Sequence, residues 1–247
     1  LIGPWRWLRR RALKRRPLPE AWLGILEARA PFVRALPAPD RVRFLELLKL
    51  FVWEKHFLGA AGLEITDPHR VVIAAAAVRL VLRRGLGPYD RLTEIVVYPH
   101  AYRHPDGQAV LGEAHAWGTV VLSWPAVVQG LANPADGHET ATHEFAHVLD
   151  RGDGAFDGTP ELGVFAAYAP WARIMSQHFL RLQARKAPER KVLRAYGATN
   201  EAEFFAVATE AFFEKPHQLE QRLPALYGLL ADYYGQDPAR NLAPREA

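Results

Sequence analysis

Near the middle of this 247-residue chain runs His143-Glu144-Phe145-Ala146-His147, and little else in the sequence limits the fold so tightly. On an α-helix, residues four apart stand one turn apart on the same face, so both imidazoles point at one place. Glu144 lies to the side of that pair, within reach of a water held there. At about 100° per residue, His143, His147 and Asp150 share a narrow stripe, and Ala141, Phe145, Val148 and Leu149 form the opposite one. The pattern predicts a helix that packs into a core by its apolar side, turns its polar side to a cleft, and stops at Gly152.

This spacing is the H-E-x-x-H arrangement of zinc hydrolases. Two histidines do not hold a catalytic zinc; a third protein ligand is required, with the fourth position left to water. The chain has no cysteine, which excludes thiolate sites and leaves His, Asp or Glu. The extended pattern H-E-x-x-H-x-x-G-x-x-H is absent, because Asp150 and Asp153 stand where it needs Gly and His. The third ligand must come from elsewhere, and the best candidate segment is Tyr196 to Glu210. Thr199 or Asn200 is a plausible N-cap there, opening a helix with acids in its first turn. Glu203 and Glu210 fall on one face of that otherwise apolar helix, and acids so placed need partners. A zinc ion would be one.

H-E-F-A-H-x-x-D, a Gly/Asp-rich loop, and then Tyr-x6-Glu within T-N-E-A-E-F-F-A resemble the Mlc titration factor A family of zinc peptidases. The Tyr/Glu spacing is also similar to that of the catalytic domain of anthrax lethal factor. The resemblance covers most of the chain: the basic start, Pro17 to Trp22, Glu54 to Thr66, Val96 to Pro99 and Val120 to Trp124. It implies one Zn2+ per chain, with His143, His147 and Glu203 as ligands, Glu144 as catalytic base and Tyr196 as an auxiliary residue at the metal. All five positions match the family pattern. The resemblance further implies aminopeptidase-type action on small peptides and, from the family's name, an alternative role as a regulatory protein that sequesters a transcriptional repressor.

Glu210 and then Glu201 are the rivals of Glu203 for the ligand position. Glu210, two turns further along the helix, more naturally accepts the second N–H of a ligand imidazole. Asp150 is another candidate for that supporting role, or else a cap for the loop from Asp150 to Gly158. That loop has turn chemistry but not calcium-loop spacing. A phenol at Tyr196 suits a hydrogen bond to a developing oxyanion. Ala109 to Trp124 reads as a pair of strands, and an exposed edge at Val120, Val121 and Leu122 would pair with a peptide backbone by strand addition.

The remaining pattern is helical at Pro19 to Leu36 with a break at Pro31, Asp40 to Phe57, Asp67 to Arg84, Pro170 to Arg185 and Pro216 to Tyr234, with a strand at Glu94 to Tyr98. Helices around a small mixed sheet give an α+β, zincin-like domain over residues 17–247. Residues 1–16 hold Arg6, Arg9, Arg10, Arg11, Lys14, Arg15 and Arg16 and no acid, leaving the rest slightly acidic despite a net charge of +4. They read as a solvated, partly disordered basic extension. With Trp5 and Trp7, such an arm is also the one feature suited to nucleic acid or an anionic membrane surface. No apolar run is long enough to span a bilayer and no export signal follows the charges, so a cytoplasmic location is expected.

Overall fold

The computed structural model describes residues 4–103, 109–115, 118–133, 135–184 and 187–241. Five helices lie in the first third of the chain: α1 (Pro4–Arg15), α2 (Glu20–Arg29), the single turn α3 (Phe32–Ala35), α4 (Ala38–Glu54) and α5 (Asp67–Val81). A four-stranded sheet is built from β1 (His56–Gly59), β2 (Glu94–Tyr98), β5 (Gly112–His115) and β6 (Thr119–Ser123), and β3 (Tyr102–Arg103) pairs with β4 (Ala109–Val110) apart from it. The chain continues through α6 (Trp124–Ala132), α7 (Thr140–Asp150), α8 (Tyr168–Gln183), α9 (Glu201–Glu214), α10 (Pro216–Arg222), α11 (Pro224–Tyr234) and α12 (Pro238–Asn241). This is an α+β architecture with a small mixed sheet.

The sheet order is β1-β2-β6-β5, with β1, β2 and β6 parallel and β5 antiparallel to β6. In register, Ile95 meets Val120 and Val97 meets Leu122, while Gly112 and Ala114 of β5 face Leu122 and Val120. These residues share one side, since side chains alternate along a strand, and β5 and β6 pack against α7. α5 is the central strut. It is buried from Val71 to Val81, as its nearly unbroken apolar run requires. Its start is closed by a reciprocal cap in which Thr66 and His69 each satisfy the other's backbone N–H.

Two aromatic groups flank the α7–α9 pair. Phe51, Tyr89 and Phe145 interlock on its sheet side, with ring centroids 5.6–5.9 Å apart. Trp171, Phe205, Phe212 and the Tyr233–Tyr234 pair fill the space between α8, α9 and α11. Together they clamp α7 and α9 side by side.

Several expectations are corrected. Phe57 belongs to β1, because α4 ends at Glu54 and the chain leaves extended to pair with β2. Trp124 opens α6, with Pro125 suited to a first helical turn. Pro216 to Tyr234 is two helices, broken where Pro224 removes a backbone donor. After Asp150 a 3-10 turn carries the chain past Gly152, and Gly154, at φ 99°, supplies the left-handed stop. The strand Val120–Leu122 is no edge: β2 and β5 flank it, and Val120 and Leu122 are fully buried. The turn residues 116–117 of that strand pair lie outside the described residues. The basic segment is an α-helix docked on α4, where Leu13 is buried and Arg10 binds Glu54; the side chains of Trp5, Arg6 and Trp7 lie outside the described residues.

Candidate metal centre

α7 starts at Glu139, whose carboxylate accepts the Thr142 N–H at 3.1 Å and also the Thr142 hydroxyl. Every α7 residue except Val148 is buried, so the helix does not lie on an open cleft wall; its polar stripe faces another helix. That helix is α9, capped by Asn200, which accepts the Glu203 N–H at 2.8 Å. Capping at Asn200 fixes the phase of α9, and the phase turns Glu203 and Glu210 toward α7.

The convergence is close. His143 Nε2 lies 2.9 Å from Glu203 Oε2 and 3.1 Å from His147 Nε2, and His147 Nε2 lies 3.3 Å from the same oxygen. On its far side, His143 Nδ1 donates to Glu210 Oε2 at 3.1 Å. That bond commits the Nδ1 proton to Glu210 and makes Nε2 the nitrogen left to a second proton or a metal ion. Two ring nitrogens and a carboxylate oxygen then point at one another, an arrangement of lone pairs that repels unless a cation sits among them. Donors about 2.0–2.1 Å from a tetrahedral zinc stand about 3.3–3.4 Å apart, close to the separations here. The side chains therefore fit a divalent metal.

Electrostatics agree with geometry. Burial lowers the basicity of His143, but the charge of Glu210, the hydrogen bonds to Glu203 and Glu210, and the charge of Glu144 outweigh it and raise its pKa to about 10. The surroundings favour positive charge at this point. Burial pushes Glu203 up, yet the two imidazoles hold it well below the ordinary carboxylate range. His147 is lowered, chiefly by burial, and so is a neutral donor. Glu144 is raised to about 7, first by burial and then by the charges of Glu203, Glu210 and Glu113 against the opposing pull of His143.

Glu144 has a feature with no sequence signal. Its carboxylate lies against β5 at Gly112, where a Cβ would come within 2.6–2.9 Å of Glu144 Cγ, Cδ and Oε1. A larger residue there would force the Glu144 carboxylate to shift. Tyr196 stands in a short 3-10 turn before α9, its ring centroid 5.9 Å from that of His143 and half of it exposed. Burial and the neighbouring Glu203 push its hydroxyl up to about 12.

Glu210 is fully buried and receives three groups: the Glu139 N–H at 2.8 Å, His143 Nδ1, and the Arg194 guanidinium. Arg194 also donates to the Gly137 carbonyl at 3.1 Å, which ties the Tyr196 turn to the start of α7. Sequence reasoning missed Arg194 and Glu139. Arg194 carries no local pattern, whereas Glu139 could have been found as an acid three residues before Thr142 at a helix start. Asp150 does not support a histidine among the described contacts; its Oδ2 accepts the Gly158 N–H at 3.1 Å and closes the loop. Glu201, the third rival, is exposed at the start of α9. Phe156 from that loop lies over His147, with centroids 5.0 Å apart.

A helix-borne imidazole pair, a carboxylate from a second helix and a further glutamate beside them define a metallopeptidase site. Sequence comparison agrees with that class. The family described as glucose-regulated metallo-peptidase M90 matches residues 5–235, and the chain belongs to it. An uncharacterised protein of Synechocystis is 39% identical over 95% of this chain and 91% of its own length. Mlc titration factor A of Edwardsiella ictaluri is 30% identical over 86% of each chain. The protein of that name from Klebsiella pneumoniae is 27% identical over 86% of this chain and 85% of its own. No helix among the described residues is long and apolar enough to cross a membrane.

Proposed function

We propose that the chain is a zinc-dependent peptidase of zincin-like fold, acting in the aminopeptidase manner on small peptides. The supporting observation is the meeting of three lone-pair donors, from His143, His147 and Glu203, with the second nitrogen of His143 already committed to Glu210. We take residues 17–247 as the catalytic domain and α1 as an extension docked on it.

When bound, zinc lowers the pKa of its water and polarises a carbonyl. The chain's own residues do the rest. Glu144, with a pKa near neutrality, takes a proton as the water oxygen bonds to the carbonyl carbon, then delivers it to the amine nitrogen as the C–N bond breaks. Tyr196 remains protonated and donates a hydrogen bond to the oxyanion. Glu210 and Arg194 hold His143 in the tautomer that turns Nε2 inward. The substrate strand moves from the expected Val120–Leu122 to β5, whose far side pairs with no strand among the described residues. A peptide added there would pass Gly112 and so pass Glu144. The name of the Mlc titration factor relatives supports a second reading, in which the chain sequesters a transcriptional repressor; the two roles are compatible.

The test combines metal analysis with turnover of unblocked and N-blocked peptides. The unsubstituted chain should hold one zinc and prefer unblocked peptides. Glu144→Gln should retain the metal and lose about 10³-fold in kcat. Undiminished hydrolysis by that variant would remove Glu144 from its role, and equal turnover of blocked peptides would exclude aminopeptidase action.

A further inference from the structure

The α7 stripe that begins with Glu144 continues through Val148 to Arg151, at helical spacings of four and three. β5 runs beside it in the same direction: Gly112 sits at Glu144, and His115 and Val148 both line a cavity of about 560 Å³ beyond the strand's end. Arg151 and Arg91 line the same cavity. At 1.5 Å per residue, Arg151 is roughly 10 Å along the helix from Glu144, which an extended peptide covers in about three residues. The cavity is thus a continuation of the proposed substrate path.

Its charges are not equally occupied. Arg84 gives its guanidinium to the carbonyls of Glu161 and Tyr233, at 2.7 and 3.4 Å. Asp90 faces Arg10 at 3.7 Å, and Glu161 is exposed to solvent. Arg151 and Arg91 are different: neither side chain has a hydrogen bond or ion pair among the described residues. Arg151 is held in place by stacking on Phe156, 3.9 Å from the ring centroid, and Phe156 in turn lies on His147. Its Nε is buried without a partner, which is costly unless an acceptor arrives. Two unengaged guanidinium groups around one recess match a planar, bidentate acceptor.

We propose that this recess is a subsite for a carboxylate of the bound peptide, about three residues from the bond that is cleaved. The inference rests on the peptidase reading for its substrate path. An acidic side chain and a free C-terminus offer the same chemistry, and peptide design separates them.

Zinc-loaded Glu144→Gln protein is titrated with fluorescent peptides carrying one Glu at successive positions, each against its Gln counterpart, and with free against amidated C-termini. One pair should show about tenfold tighter binding of the charged member; which pair responds identifies the source. Arg151→Ala and Arg91→Ala should each bring that ratio close to one, with zinc content and melting temperature confirming folded protein. Arg91 is exposed and so is the safer substitution. Equal affinities in every pair, or a ratio that survives both substitutions, would overturn the subsite. Turnover by the unsubstituted chain without any charge preference removes the subsite alone. A charge preference without turnover leaves a carboxylate-binding recess and removes the peptidase reading.

Discussion

The α7–α9 seam and the α1–α4 seam both join helices rich in charge, and they dispose of it in opposite ways. Between α1 and α4 each buried cation has its own partner. Arg10 meets both carboxylate oxygens of Glu54 at 2.6 and 2.8 Å, and Lys49 Nζ donates to the carbonyls of Lys14 and Arg16 at 2.9 and 2.6 Å, closing the end of α1. Arg9, Arg11, Lys14 and Arg15 lie on the exposed side of α1, where Arg9 reaches the Trp53 carbonyl and Lys14 pairs with Glu46. Between α7 and α9, by contrast, Glu139, Glu144, Glu210 and Glu214 are buried with Arg79 and two histidines, and Arg194 reaches in from the side. Acids outnumber fixed cations there. A seam whose charges are paired one to one is structural; one with surplus negative charge in a low dielectric is completed only by a proton or a metal ion.

The sharpest break of this comparison is at Glu203. Glu203→Ala should abolish stoichiometric zinc after dialysis, whereas Glu201→Ala, on an exposed position of the same helix turn, should leave it intact; metal content by atomic emission decides. If Glu210→Ala alone released the metal, the two acids would exchange roles. Glu210→Gln tests the supporting position more gently. It keeps an acceptor for His143 Nδ1 but removes the charge, and zinc affinity by competition with a chelator should fall about 10- to 100-fold.

A third test concerns protons instead of metal. Glu214 is pushed up to about 8, chiefly by burial and then by the charges of Glu139, Asp136 and Glu210, against Arg79. An acid with a raised folded pKa keeps its proton in the folded state after the unfolded chain has lost it. Stability therefore falls as pH rises from about 4.5 through 8. Glu214→Gln can still accept the Gly137 N–H now bound at 3.1 Å and should flatten that slope, raising the melting temperature at pH 8.5 by roughly 3 °C or more. A variant that melts lower than the parent at pH 8.5 would show that the carboxylate is ionised and satisfied.

The smallest effect belongs to the other seam. Arg10→Ala should cost about 1–2 kcal/mol by urea unfolding without altering zinc content. Loss of zinc from that variant would couple the seams that the structure keeps apart.

Much of the site was legible because it is local. The His143/His147 pair needs only helical periodicity, and a cap at Thr199 or Asn200 with its following acids marked the start of α9; the structure selects Asn200. The small mixed sheet and most helices followed from Pro, Gly and apolar spacing. What failed were the places where pairing partners decide. Phe57 continues the apolar pattern of α4 but is drawn into β1 by β2, and Val120–Leu122 has the composition of an edge or an interior strand alike. Only the return of β5 settles which it is. The basic segment likewise gave no sign that Glu54 would receive Arg10 from 44 residues away.

By itself the chain determined which side chains could hold a cation, since donor type and one-turn spacing are properties of residues and of a single helix. Which glutamate closes the site, how Gly112 seats Glu144, and why Arg194 secures Glu210 were decided by tertiary structure alone. Those contacts join segments 16 to 60 residues apart, and their distances depend on how the core packs the two helices together. No periodicity within either helix encodes that distance.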